Sequence, residues 1–158
     1  MAIFEGERAA DGGRYLVIAS RFNRWLTEKL LDGARTELVK LGLKEGDIDT
    51  AWVPGAFELP QAAGLAAAGG KYRAVICVGA VLKGDTSHHE HIASACANGI
   101  QQAALSTGVP VTFGVITADT FEQARDRARP GGGRNIGADA ATAAVEMASL
   151  FSRMGKGK

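Results

Sequence analysis

Residues 74–91 read AVICVGAVLKGDTSHHEH, and the change of character along them decides the fold. Residues 74–80 (AVICVGA) are apolar almost without interruption, as expected of a strand whose sheet is covered by helices on both faces. A glycine-bearing turn follows, and residues 87–107 then carry a helical pattern that stops at Gly108. A strand feeding a helix through a turn is the repeating unit of a parallel α/β sheet.

The same unit recurs on either side. Arg14–Ser20 (RYLVIAS) reads as a buried strand, and the helix after it carries Leu26, Leu30, Ala34 and Leu38 at every fourth position. Ile48–Val53 is a second strand, ended by Pro54-Gly55, and residues 57–68 form a helix that stops at Gly69-Gly70. Residues 111–116 (VTFGVI) are a further strand, residues 120–128 a short helix and residues 137–154 the last one. Between those two helices, residues 129–136 (RPGGGRNI) read as a flexible loop. The order β-α-β-α-β-α-β-α-α predicts a three-layer α/β/α, doubly wound parallel sheet of flavodoxin-like class, in one domain over residues 1–158.

Composition supports this and excludes other classes. Of 158 residues, 46% are hydrophobic and 22% charged, which rules out disorder and fibrous architectures. Ala (28) and Gly (21) supply nearly a third of the chain, so close packing of helices is expected. Eighteen Lys and Arg against 17 Asp and Glu give a net charge of +1, without the basic excess of a nucleic-acid binder. The N-terminus lacks the pattern of a signal peptide and no apolar run approaches ~20 residues, so no membrane span is expected. Cys77 and Cys96 read as small buried hydrophobes suited to a reducing cytoplasm.

In a sheet of this kind ligands bind beyond the carboxyl ends of the strands, so the loops there carry the chemistry. Phe22, in Arg21-Phe22-Asn23, reads either as a core residue over a strand end or as a face for a flat ring. Glu58 is either a carboxylate favoured at a helix start or an acceptor for ligand hydroxyls. Gly79 and Gly84 have the spacing of a phosphate-loop NTPase, but Asp85 stands where the lysine should be, and that reading is rejected. What remains is a helix start able to hold one phosphate, with Ser87-x-x-Glu90 fitting a capping box. Thr120-x-x-Gln123 fits another. His88, His89 and His91 are all the histidines of the chain. His-Glu-x-x-His is absent and no cysteine completes a set, so the triplet reads as a source of a proton-transfer residue and not of a metal site. Arg125, Arg127, Arg129 and Arg134 offer a solvated face, one member of which could pair with phosphate.

Five pieces taken together resemble lumazine synthase: Arg21-Phe22-Asn23, residues 53–60 (VPGAFELP), residues 79–88 (GAVLKGDTSH), residues 113–117 (FGVIT), and Glu122-Gln123-Ala124 with Arg127. They lie in register from about residue 14 to 154. The resemblance implies a transferase of riboflavin biosynthesis that condenses 5-amino-6-(D-ribitylamino)uracil with 3,4-dihydroxy-2-butanone 4-phosphate, giving 6,7-dimethyl-8-ribityllumazine, phosphate and water. It implies that Phe22 stacks on the pyrimidine and that Ala56, Phe57 and Glu58 border the ribityl chain. Ala80, Val81 and Leu82 would present backbone groups to the pyrimidine edge, and Asp85, Thr86 and Arg127 would take the phosphate. His88 would transfer protons, and Phe113 would come from a neighbouring subunit. No metal or organic cofactor is implied. The implied assembly is a homo-oligomer, a pentamer or a pentamer-based capsid, with active sites between subunits.

Three features depart from the family pattern. His89 and His91 stand where the family has aromatic residues, Ile136 stands for a lysine, and the glycine-rich loop is one residue longer. Arg134 is the substitute cation to consider. The other readings of the chain are a non-catalytic lumazine- or flavin-binding module on the same scaffold, a metal-dependent hydrolase built on the three histidines, and an FMN-binding flavodoxin-like domain.

Overall fold

A computed structural model describes residues 1–155. Its centre is one four-stranded parallel sheet of strands β1 (Arg14–Ser20), β2 (Ile48–Val53), β3 (Tyr72–Leu82) and β4 (Val111–Ala118), ordered β2-β1-β3-β4. Helices α1 (Arg24–Lys40), α2 (Leu59–Ala68), α3 (His88–Thr107), α4 (Phe121–Asp126) and α5 (Ile136–Arg153) complete the chain. The expected three-layer α/β/α architecture is present, and its strand order follows the flavodoxin-like pattern.

The period of two along each strand divides the core. Tyr15, Val17 and Ala19 of β1 join Ala74, Ile76, Val78 and Ala80 of β3 beneath α1 and α5. Leu16 and Ile18 join Val75, Cys77 and Val81 beneath α2 and α3. Both faces of β1 and β3 are therefore buried, which is why their sequences are apolar without alternation. On α1, Leu26, Leu30, Ala34 and Leu38 are fully buried, as their spacing predicts.

The abundance of small residues has a local explanation. A Cβ on Gly137 would lie 2.1 Å from the Leu30 carbonyl oxygen, and one on Gly33 would lie 2.4 Å from the Asn135 side chain. Helix α5 thus meets the α1 backbone at Gly137, and Gly33 leaves room for the Asn135 side chain against α1. Across the sheet, a Cβ on Gly99 of α3 would meet Pro60 of α2 at 2.6 Å.

Several boundaries differ from the sequence reading. Residues 57–68 are not one helix: a 3-10 turn, Ala56–Glu58, precedes α2, with Pro60 in the first turn of α2, where its missing N–H costs nothing. The Ser87-Glu90 capping box does not form; the Ser87 side chain caps nothing, and the Thr86 hydroxyl accepts from the His88 N–H at 3.3 Å instead. The Thr120-Gln123 box does form, with the Gln123 N–H donating to Thr120 Oγ1 at 3.2 Å. Residues 129–136 are a pinned loop, closed by a bridge between Ala128 and Asn135. Buried Asn135 donates to the carbonyls of Lys29 (3.1 Å) and Arg129 (3.2 Å) and accepts from the Ala138 N–H (3.1 Å), capping α5 and tying the loop to α1.

No helix among the described residues is long and apolar enough to cross a membrane.

Candidate active site

The carboxyl ends of β1, β2 and β3 open into a cleft of about 270 Å³ lined by Phe22, Gly55, Ala56, Phe57, Glu58, Ala80, Val81, Leu82, His88, His89 and Ile92. Eight residues singled out from the sequence, Phe22, Ala56, Phe57, Glu58, Ala80, Val81, Leu82 and His88, thus meet in one place. Each arrives by a local cause.

Phe22 is held by the turn that joins β1 to α1. Asn23 adopts a left-handed conformation (φ 60°), which Asn tolerates better than other side chains, and its carbonyl accepts from Leu26 N–H at 2.9 Å to start the helix. The Phe22 N–H donates to the Pro54 carbonyl at 3.0 Å, fastening the β1 loop to the β2 loop. The ring is 70% exposed, so Phe22 does not cover the strand end as a core residue.

Glu58 combines its two sequence readings. One carboxylate oxygen accepts from the Gly55 N–H at 3.0 Å, closing the 3-10 turn, and the side chain still borders the cleft. Ala80, Val81 and Leu82 are the last residues of β3, the first two buried, and all three line the cleft.

The turn from Lys83 to Ser87 forms the rim. The Lys83 N–H is engaged by the Ala118 carbonyl at 2.9 Å, whereas the N–H groups of Asp85, Thr86 and Ser87 donate to no acceptor among the described residues. These donors stand before α3, a 20-residue helix whose dipole favours an anion at this end. His88, the first residue of α3, is exposed, and His89 contacts the Thr86 carbonyl through Nδ1 at 2.9 Å. Among the described residues, no three His, Cys, Asp or Glu side chains converge as a metal-holding group.

Three residues from the sequence reading lie elsewhere. Phe113, 41% exposed on the sheet-edge strand β4, lines a separate groove with Ile136, Asp139, Ala140 and residues of α3. Arg127 lies beyond the end of α4 and donates from Nη1 to the Gln123 carbonyl at 2.9 Å. Its own carbonyl accepts from the Ile136 N–H at 2.9 Å, so Arg127, Ile136 and Phe113 share the β4 side of the molecule, apart from the His88 cleft. Arg134 borders a third depression, with Lys29 and Arg129. The sequence reading assigned no part to His89 or Ile92; their positions on the face of α3 that carries His88 were the available signal.

Compared with known families, residues 12–152 match the model of the 6,7-dimethyl-8-ribityllumazine synthase family, from the start of β1 almost to the end of α5. A match over nearly the whole fold, with eight of the expected residues meeting at the carboxyl end of the sheet, places the chain in the 6,7-dimethyl-8-ribityllumazine synthase family, transferases of riboflavin biosynthesis.

Proposed function

We propose that the protein condenses 5-amino-6-(D-ribitylamino)uracil with 3,4-dihydroxy-2-butanone 4-phosphate to give 6,7-dimethyl-8-ribityllumazine. The supporting observation is the cleft in which an exposed aromatic ring, a carboxylate, the last residues of β3 and an imidazole surround one space, next to turn N–H groups that have no acceptor among the described residues.

In this reading Phe22 stacks on the pyrimidine, Glu58 accepts from ribityl hydroxyls beside Ala56 and Phe57, and residues 80–82 bind the ring edge. Asp85 and Thr86 hold the phosphate through the turn. The substrate amine attacks the ketone, the carbinolamine loses water to an imine, phosphate leaves, and the second amine closes the ring with loss of water. Each step moves protons between groups that are already reactive. Holding the two reactants together supplies the largest share, ~7–11 kcal/mol for well-oriented partners. His88, at the cleft wall, relays protons for a further 10²–10⁴-fold, roughly.

Phe113 and Arg127 act from a neighbouring subunit. One face of the chain carries the cleft and a different face carries Phe113 and Arg127, so a contact joining them is head-to-tail, and head-to-tail contacts that close make rings. A pentamer is the ring we propose, in the cytoplasm, with residues 1–158 as one domain per subunit. An exposed aromatic on the open edge of β4 fits an interface better than a free surface.

The test is to mix both substrates with the protein and follow lumazine absorbance and free phosphate together. Protein-dependent appearance of both in equal amounts supports the reaction; binding of the pyrimidine with neither product makes the chain a non-catalytic module.

A further inference from the structure

The His89 ring is mostly covered, with 19% of its side-chain surface exposed, although it stands at the second position of an otherwise open helix start. Its Nδ1 lies 2.9 Å from the Thr86 carbonyl oxygen. A carbonyl can only accept, so Nδ1 must carry the hydrogen, and the tautomer of the neutral ring follows from the backbone. Thr86 is thereby gripped twice, at its carbonyl by the His89 ring and at its hydroxyl by the His88 N–H at 3.3 Å.

The consequence falls on the next peptide group. The Thr86 carbonyl and the Ser87 N–H belong to one planar trans unit and point in opposite directions. Anchoring the carbonyl on His89 therefore aims the Ser87 N–H away from the helix, on the exposed side of the turn, where it has no protein acceptor among the described residues. An ordinary aromatic residue at position 89 would fill the same space but could not hold the peptide in this orientation.

We propose that His89 is a positioning residue for the phosphate-bearing substrate: its Nδ1–H fixes the Thr86-Ser87 peptide so that the N–H donors of the turn are preset for a phosphate. This rests on the reading of that turn as the phosphate site. The role is distinct from that of His88, because His89 acts on the turn and moves no proton in the reaction.

The test compares wild type, His89→Phe and His89→Asn in the assembled protein. His89→Phe keeps the bulk and loses the donor; His89→Asn keeps a donor amide near the position of Nδ1. The expected result is a rise of about 5–10-fold, the loss of one hydrogen bond, in both the KM for the butanone phosphate and the Kd for inorganic phosphate with His89→Phe. The KM for the pyrimidine and kcat should stay within about twofold of wild type, and His89→Asn should recover most of the loss. Unchanged phosphate affinity in His89→Phe, equal movement of both KM values, or no recovery in His89→Asn would each overturn the proposal. Failure of the reaction reading looks different: wild type would bind inorganic phosphate but form no lumazine, and the phosphate Kd values of the variants would still decide the role of His89.

Discussion

The Gly55 N–H donates to Glu58 Oε2 at 3.0 Å, so the carboxylate that borders the cleft also builds the turn that presents it. Glu58→Gln keeps an acceptor for Gly55 and loses the charge. It should leave the melting temperature nearly unchanged and raise the KM for the pyrimidine by about fivefold, the difference between charged and neutral acceptors being ~1 kcal/mol. Glu58→Ala should weaken both binding and folding. Steady-state kinetics with thermal melts on the two variants separate the roles.

Phe22 gives a cleaner separation, because its ring is exposed and contributes little to the core. Phe22→Ala should weaken pyrimidine binding by about 1–3 kcal/mol, the range for stacking a base on an aromatic ring. Calorimetric titration with the pyrimidine measures that loss, and a melting curve should show no matching fall. A large fall in melting temperature with unaltered binding would return Phe22 to the core.

The close approach of α1 and α5 predicts a stability effect far from the cleft. Gly137→Ala would place a methyl 2.1 Å from the Leu30 carbonyl oxygen, which is a backbone atom and cannot swing aside. The variant should lose at least about 1–3 kcal/mol, the usual cost of overpacking. Gly46→Ala, where a Cβ meets nothing within 4 Å, is the control and should melt close to wild type. Urea unfolding of the pair measures the difference.

These elements also show how far the sequence could be read. The strands were legible because β1 and β3 are buried on both faces and their apolar runs state it directly. The cleft residues were legible as pieces of strand-end loops, and the sheet brings those ends together. Contacts between distant parts of the chain were not legible. Nothing local in Gly137 indicates Leu30, and Asn135 reads as one more polar residue in a glycine-rich loop until it is seen to bond Lys29 across 106 positions. The Ser87 capping box failed for a local reason, since the Glu90 N–H that the Ser87 hydroxyl would take donates to the Ser87 carbonyl at 3.0 Å. Phe113 and Arg127 lie apart from the cleft within one chain, and the part we propose for them rests on a second copy, which no pattern in the sequence displays.

Acid should act through Asp49 on edge strand β2. Its carboxylate accepts first from the Arg14 guanidinium, then from Lys71 Nζ (2.8 Å) and the Tyr72 hydroxyl (2.7 Å), and these donors hold it well below the usual carboxylate range. A depressed carboxylate contributes stability that is fully present above its unfolded value of ~3.9 and is lost as pH falls below it. Asp49→Asn should therefore melt below wild type at neutral pH, and the gap should narrow as the pH is taken below about 4. A gap that stays constant with pH would mean that the charge of Asp49 adds nothing.

The measurement closest to the centre of the account is a single-turnover comparison of wild type and His88→Ala, with pyrimidine binding determined separately on the same samples. Lumazine formation should slow by roughly 10²–10⁴-fold in His88→Ala while the pyrimidine Kd changes little, since in the proposed reaction the imidazole moves protons and Phe22 with Glu58 binds the pyrimidine substrate. His91→Ala, on the exposed side of α3, should turn over near the wild-type rate. A His88→Ala protein that forms lumazine at the wild-type rate would contradict the assignment of proton transfer to this cleft.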